Sequence, residues 1–163
     1  MGKRIHQDMR YDGATPEQVH AMLADPAFRE AVCEYTGFPR REVTIRPAGD
    51  GMRVTIDQHR PANEVPSFAR KFVGDEINIV QDETWTSKTH GALTVTIPGK
   101  PGHMSGTIEL VGDDSGTTEI VAVDVKVSIP LVGGKIADFI GDMLLKALRA
   151  ENKVGRDWLA ARR

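Results

Sequence analysis

The C-terminal part of the chain carries the pattern that most restricts its fold. Apolar residues recur there at steps of three and four, which is the period of one face of an α-helix. These residues are Ile136, Ile140, Met143, Leu144, Ala147, Val154 and Trp158. The pattern predicts one long helix from about Gly134 to Arg162, with a charged outer side and an ion pair between Asp142 and Lys146. A helix with so wide an apolar stripe must pack along an equally long apolar surface.

Seven short segments of alternating residues before this helix are predicted strands that supply such a surface. The first runs from Lys3 to Asp12, and the last is the clearest, with Val121, Val123, Val125, Val127 and Ile129 on one face. Consecutive strands joined by tight turns pair antiparallel, and a sheet with one apolar face has water on the other side only. The apolar face must be covered, and the terminal helix is the long element available for this.

Two short helices are predicted directly after the first strand. Thr15-Pro16-Glu17-Gln18 reads as a capping box with proline in the first turn. Asp25-Pro26 repeats the start signal before a second helix that ends at Tyr35. We expect this second helix to face inward with Phe28, Val32 and Tyr35.

The segment from Pro61 to Gly74 is too long for a simple hairpin loop. Within it, Phe68 and Phe72 stand four residues apart, with Arg70 and Lys71 between them. We interpret the segment as a short helix that forms a lid over a cavity. The alternative is an apolar knob that docks on a membrane or partner, and the lack of a wider basic patch favours the lid.

Composition excludes several other classes of protein. The 163 residues suit a single domain, residues 1–163, and a net charge of −2 gives no electrostatic reason to expect nucleic acid as a partner. No apolar run is long enough for stable membrane insertion. The single cysteine, Cys33, rules out an internal disulfide and favours a reducing compartment, so we expect a cytoplasmic protein. The sequence does not define an oligomeric state.

The order of elements resembles the START-like superfamily, also called SRPBCC or helix-grip proteins. The resemblance is carried by Thr15-Pro16-Glu17-Gln18-Val19, by Asp25-Pro26, and by Ile129-Pro130-Leu131-Val132-Gly133-Gly134 at the entry to the last helix. Within that superfamily the chain resembles a bacterial domain family of unknown function. The resemblance implies an α+β fold in which a strongly bent, antiparallel seven-stranded sheet grips the long helix, in the order β-α-α-β6-α.

The same resemblance implies a cavity for apolar molecules between the sheet and the last helix. Relatives include lipid-transfer proteins, plant hormone binders, aromatic polyketide cyclases and oxygenase subunits, so the fold alone does not fix the function. Residues predicted on the inward faces are candidates for the cavity wall: Gln7, Met9, Val54, Ile56, Gln58, Ile79, Gln81, Glu83, Trp85, Val95, Ile108, Val123, Val125, Ile140, Met143, Leu144 and Ala147.

Polar residues on these apolar faces are the most informative candidates. A dry core tends to exclude Gln7, Gln58, Gln81 and Glu83, and the same holds for Glu151 in the stripe of the last helix, whereas a cavity accepts them. A strand edge or mutual pairing would also explain them. If buried, Glu83 is expected to have a raised pKa and is the one weak candidate for an acid or base.

The histidines and the cysteine do not have the spacing that a metal site or a catalytic nucleophile requires. The five histidines form no metal-ligand pair, and we expect all of them to be exposed. Cys33 is interpreted as a small core residue. No metal or cofactor is therefore expected.

The sequence leads to three hypotheses about function. The first is a carrier that binds a small hydrophobic or amphipathic ligand, lipid-like or polyketide-like, without chemistry. The second is a cyclase or dehydratase that acts on a polyketide-like substrate, with Glu83 handling protons. The third is an interaction module with a filled core.

Overall fold

The computed structural model describes residues 2–163. These residues form one antiparallel sheet and four helices. Along the chain the elements are β1 (Gly2–Asp12), α1 (Pro16–Leu23), α2 (Pro26–Tyr35), β2 (Arg40–Ala48), β3 (Gly51–Pro61), α3 (Ser67–Val73), β4 (Glu76–Trp85), β5 (His90–Thr96), β6 (Gly102–Asp113), β7 (Gly116–Val127) and α4 (Gly133–Ala160).

The seven strands lie in the order β1-β7-β6-β5-β4-β3-β2, and every neighbouring pair is antiparallel. Strands β2 to β7 follow one another in sequence, while β1 joins the far edge by pairing with β7. The predicted α+β class and the predicted element order are confirmed, including a short helix, α3, between the third and fourth strands.

The first two helices begin where local sequence chemistry sets their starts. Thr15 Oγ1 accepts from the backbone N–H of Gln18 at 3.2 Å, and the Gln18 side chain accepts from the backbone N–H of Thr15 at 2.8 Å. Asp25 accepts from the backbone N–H of Ala27 at 2.9 Å. These bonds satisfy amide groups that have no partner inside a helix, so α1 and α2 start at their prolines.

Helix α4 packs mainly on β1, and to a lesser extent on β7 and α2. Its buried residues include Ile136, Ala137 and Ile140. Two glycines of α4 allow the helix to approach β1 closely. A β-carbon at Gly155 would lie 2.7 Å from the Tyr11 ring, and one at Gly141 would lie 3.0 Å from the Lys3 side chain. The helix therefore rests on one edge of the sheet rather than evenly across it.

Three detailed expectations are wrong. Tyr35 is 57% exposed at the end of α2, because the chain turns away there towards β2. Asp142 pairs with Lys3 at 3.6 Å, since the Lys3 side chain passes over Gly141 next to it. His20 is buried, with its ring edge-on to Trp85 at 5.5 Å between centroids.

Among the helices of residues 2–163, none combines the length and the apolar character that crossing a membrane requires.

Candidate ligand cavity

A cavity of about 760 Å³ lies between one face of the sheet and α4. It exists because α4 packs on β1 and β7, which leaves space above the middle strands β3 to β6. Cavities that hold small ligands typically measure about 300–1,000 Å³. Segments of α2, α3 and the chain before α3 close its sides.

Most of the predicted wall residues line this cavity. They come from β3 to β7 and from α4, where the predicted inward faces meet across the space. The lining residues among those predicted are Ile56, Gln58, Ile79, Gln81, Glu83, Val95, Ile108, Val123, Ile140, Met143, Leu144 and Ala147.

Five predicted wall residues lie elsewhere: Gln7, Met9, Val54, Trp85 and Val125. Except for Gln7, they are buried in the close-packed core, where helices rest directly on the sheet and leave no space; α1, for example, places His20 against Trp85. Gln7 lies on the edge strand β1, half-buried, and donates to the Asp8 carbonyl at 3.0 Å.

The two phenylalanines of α3 face the interior side of the fold. Phe72 is buried and lines the cavity. Phe68 meets Phe139 of α4 edge-on, with 6.0 Å between ring centroids, and Lys135 Nζ lies 4.3 Å from the Phe68 centroid. Helix α3 thus bridges from the sheet side to α4 at one side of the cavity.

A buried ion pair stands at one end of the cavity. Arg29 of α2 donates from both terminal nitrogens to the two carboxylate oxygens of Glu83 on β4, each at 2.8 Å. Arg29 Nε donates to the Leu23 carbonyl at 2.7 Å, and Trp85 Nε1 and the Gln81 amide also donate to Glu83. Both charged groups are therefore fully engaged, as burial of a charge requires.

The expected raised pKa of Glu83 is wrong. Burial alone would raise the pKa of this carboxyl, but the Arg29 guanidinium and the donated hydrogen bonds outweigh burial and lower it below its ordinary value. Glu83 is an ionised partner of Arg29, so it has no proton to give near neutral pH.

Two further carboxyl groups line the same end of the cavity, Glu119 of β7 and Glu151 of α4. Tyr11 donates to Glu119 Oε1 at 3.4 Å, and no side chain among residues 2–163 donates to Glu151. Burial, followed by the charge of Glu151, raises the pKa of Glu119 well above its usual range. Burial also raises the pKa of Glu151 to about 7, with Glu83 adding to the effect and Arg29 opposing it. We call Arg29, Glu83, Glu119 and Glu151 the buried end of the cavity.

Arg29 and Glu119 were not identified from the sequence, although signals for both exist. Glu119 stands two residues before Val121, so extending the alternation of β7 by one step places it on the apolar face. Arg29 stands four residues before Cys33 and therefore shares a helix face with that buried residue. Glu151 was identified as a polar interruption of the apolar stripe.

Cys33 lines the cavity as an uncharged thiol. Its Sγ donates to Gln58 Oε1 at 3.5 Å, and burial raises its pKa to about 11. A thiol in this state is a poor nucleophile at neutral pH. Within residues 2–163, no group of three or more His, Cys, Asp or Glu side chains is arranged to hold a metal ion.

A second depression, of about 640 Å³, is an open groove between α2 and the end of α4. Its carboxylates are already paired, since Arg41 bonds Glu30 at 2.9 Å and Glu34 at 2.8 Å, and Lys153 bonds Asp157 at 2.8 Å. This groove offers no free buried polar group, so the internal cavity is the stronger candidate site.

Comparison with known proteins places the chain in a family. The model of a family described as protein of unknown function (DUF2505) matches residues 7–159. The chain belongs to the DUF2505 family. Its curated relatives include the uncharacterized protein Rv0481c of Mycobacterium tuberculosis, which is 24% identical over 171 residues and covers 98% of both chains.

Solved structures similar to this DUF2505 chain share its fold. The di-domain aromatase/cyclase StfQ of the steffimycin biosynthetic pathway has a TM-score of 0.66 and 9% identity, over 99% of this chain and 52% of that one. Norcoclaurine synthase from Thalictrum flavum has a TM-score of 0.61 and 14% identity, over 94% and 93% of the two chains. The predicted helix-grip fold is thereby confirmed, and the family match confirms the predicted membership in a family of unknown function.

Proposed function

We propose that this DUF2505 protein binds a small amphipathic molecule inside its cavity. The observation that carries the proposal is a 760 Å³ space with largely apolar walls and ionisable groups gathered at one end. The apolar body of the ligand lies along β3 to β7 and α4, and its polar group faces the buried end. A filled core, as in an interaction module, is inconsistent with a cavity of this size.

The driving force for binding is the removal of apolar ligand surface from water. Burial contributes about 25 cal/mol per Å², part of which offsets the loss of motion on association. The polar groups at the buried end contribute little to this apolar driving force. Their role is to orient the ligand, because a polar atom left without a partner in the cavity costs free energy.

Entry to the cavity lies beside α3, where several lining residues are exposed, among them Asn63, Glu64 and Lys146. With Phe72 against the cavity and Phe68 against Phe139, α3 acts as a lid that must move for the ligand to enter. This assignment favours the lid over the docking knob, since Phe72 is buried and Phe68, although partly exposed, packs on Phe139.

The test combines native mass spectrometry of the purified protein with displacement of a fluorescent apolar probe. Met143→Trp fills the cavity from α4 and is expected to abolish probe binding, whereas Arg149→Trp, on the exposed side of the same helix, is expected to leave it intact. Absence of any co-purifying molecule, together with equal probe affinity in both variants, contradicts the proposal.

A proton-transfer enzyme is the second candidate, and Glu151 is the observation that favours it. A carboxyl with a pKa of about 7 is suited to act as acid and base near neutral pH. In this proposal Glu151 takes the proton-handling role that was predicted for Glu83, on a polyketide-like substrate. A synthetic β-hydroxy thioester is expected to lose water in the presence of the wild-type protein and to persist with Glu151→Gln, with probe binding retained in both. No turnover by the wild type excludes this candidate for that substrate class.

A further inference from the structure

We propose that the buried end of the cavity selects ligands whose polar group is a basic nitrogen, such as a primary amine on an apolar body. This inference rests on the proposed function, because it names the chemical class of the bound molecule. It is carried by the balance of charges and of hydrogen-bond donors around Glu119 and Glu151.

The first step is the charge balance. Arg29 and Glu83 neutralise each other through two direct bonds. Glu119 and Glu151 remain, and Arg29 is the cation whose charge acts on either of them. The buried end thus has three carboxyl groups and one cation, so two carboxyl groups have no counter-charge when they are ionised.

The second step is the balance of donors. Glu119 is 1% exposed yet lines the cavity, and its one bond is the 3.4 Å contact from Tyr11 to Oε1. Its Oε2 accepts from no donor within residues 2–163, and the same is true of both Glu151 oxygens. Among residues 2–163 the one fully buried side-chain atom without a hydrogen-bond partner is His20 Nε2, so these carboxyl oxygens are not sealed in the core. They border the cavity, and Glu151 is partly exposed, so a donor on a ligand can reach them.

The third step is the fit of the amine. A primary ammonium group carries three donors and a positive charge, and therefore supplies both quantities that the buried end lacks. A carboxylate or phosphate group adds a negative charge instead, and the Arg29 donors are already engaged with Glu83 and the Leu23 carbonyl. A hydroxyl can donate one bond but brings no charge.

Proton release is a specific consequence of this arrangement. The charged or titratable groups around Glu119 and Glu151 are Tyr11 from β1, Arg29 from α2 and Glu83 from β4. Below neutral pH the two carboxyl groups hold protons, and an incoming ammonium favours their ionised forms. Binding of an amine at pH 6.5 therefore displaces a proton into the buffer, while binding of an alcohol does not.

The experiment compares decylamine, decanol and decanoate, which have equal chain lengths, below their micelle concentrations. Calorimetry in buffers of different ionisation heat gives both affinity and proton release. We expect decylamine to bind at least about tenfold more tightly than decanol, with decanoate weakest, because a charged hydrogen bond is stronger than a neutral one.

Glu151→Gln is expected to remove most of this preference and the proton release, and Glu109→Gln, on the exposed outer face of β6 and away from the cavity, to change neither. Circular dichroism verifies that both variants are folded. Equal binding of the three probes, or a preference for the amine that survives Glu151→Gln, overturns the inference while leaving ligand binding intact. Binding of none of the three, with no displacement of the fluorescent probe, contradicts the proposed function itself.

Discussion

At the scale of single residues, the molecule places four ionisable side chains together at one end of a cavity, and their partners divide them into two kinds. Arg29 and Glu83 are 3% and 2% exposed and saturate each other with bonds. Glu119 and Glu151 share the same surroundings but lack such a partner. Burial favours a raised pKa for every one of these carboxyl groups, but at Glu83 the Arg29 guanidinium and the donated hydrogen bonds outweigh it, so the pKa of Glu83 is lowered while that of Glu151 is raised.

The first prediction concerns the buried pair. Glu83→Gln leaves the Arg29 guanidinium buried without a counter-charge, so the free energy of unfolding should fall by about 3–5 kcal/mol. Urea denaturation at pH 7 measures this. The control is Glu76→Gln, which removes surface contacts with Arg40 and His59 and should cost no more than about 1 kcal/mol. Equal effects of the two substitutions would refute the structural role of Glu83.

The second prediction concerns Glu151 and pH. Because its pKa is about 7 in the folded protein and near 4.5 ordinarily, the folded state holds a proton that the unfolded state has lost between these values. The free energy of unfolding should therefore fall as pH rises from about 4.5 to 7. Glu151→Gln should make this slope shallower in a series of urea denaturations, while the contribution of Glu119, whose pKa is also raised by burial, remains.

The comparison between wild type and Glu151→Gln also separates Glu151 from His20. Burial, with the charges of Lys88 and Arg29, lowers the pKa of His20, so His20 reduces stability as pH falls below about 6.5, which is the opposite sign. That contribution is common to both proteins and cancels in their difference. A difference that does not vary between pH 4.5 and 7 would contradict the assigned pKa of Glu151.

At the scale of secondary-structure elements, α4 determines which part of the interior is closely packed and which part contains the cavity. Its C-terminal half presses on β1 at Gly155, where the Tyr11 ring and the Met22 side chain occupy the space of a β-carbon. Its face towards β3 to β6 carries Ile140, Met143 and Leu144 and borders the cavity. One helix thus forms both a close contact and a cavity wall.

The third prediction tests the close contact. Gly155→Ala adds a methyl group 2.7 Å from a rigid tyrosine ring, so it should lower the free energy of unfolding by about 1–3 kcal/mol although alanine favours helices. Gly141→Ala is the matched control, because the atoms nearest to it belong to the flexible end of Lys3. Thermal unfolding of both should show a loss for Gly155→Ala that clearly exceeds any change for Gly141→Ala; the reverse order would contradict the packing.

The elements themselves are largely predictable from sequence, because their signals are local. The steps of three and four define α4, the capping box sets the start of α1, and alternation marks β7. The partners of Glu83 and Asp142 are not local. Arg29 lies 54 positions before Glu83, and Lys3 comes from the opposite end of the chain. Periodicity gives the face of a side chain, but only the assembled fold shows whether a cavity, a helix or a counter-charge meets it.

At the scale of the whole molecule, the cavity is a property of no single element. It follows from a sheet wider than the helix that covers it, and the remaining opening is closed by α2 and α3. Val54 and Ile56 illustrate this, since both share one face of β3, yet the first is core and the second is cavity wall. Ligand exchange therefore depends on the movable part of this enclosure, which we assign to α3.

The last prediction tests that assignment. Phe72 is buried, lines the cavity and lies close to Gly102, at the start of β6. Phe72→Leu keeps an apolar side chain at this position, but the smaller side chain covers less of the cavity. The fluorescent probe should therefore dissociate roughly threefold to tenfold faster, with little change in its association rate. Stopped-flow displacement measures both rates. Lys71→Ala, on the exposed side of the same helix, should leave them unchanged. If Phe72→Leu instead slows association and leaves dissociation unaffected, α3 guides entry without holding the ligand, and the assignment of a lid is wrong.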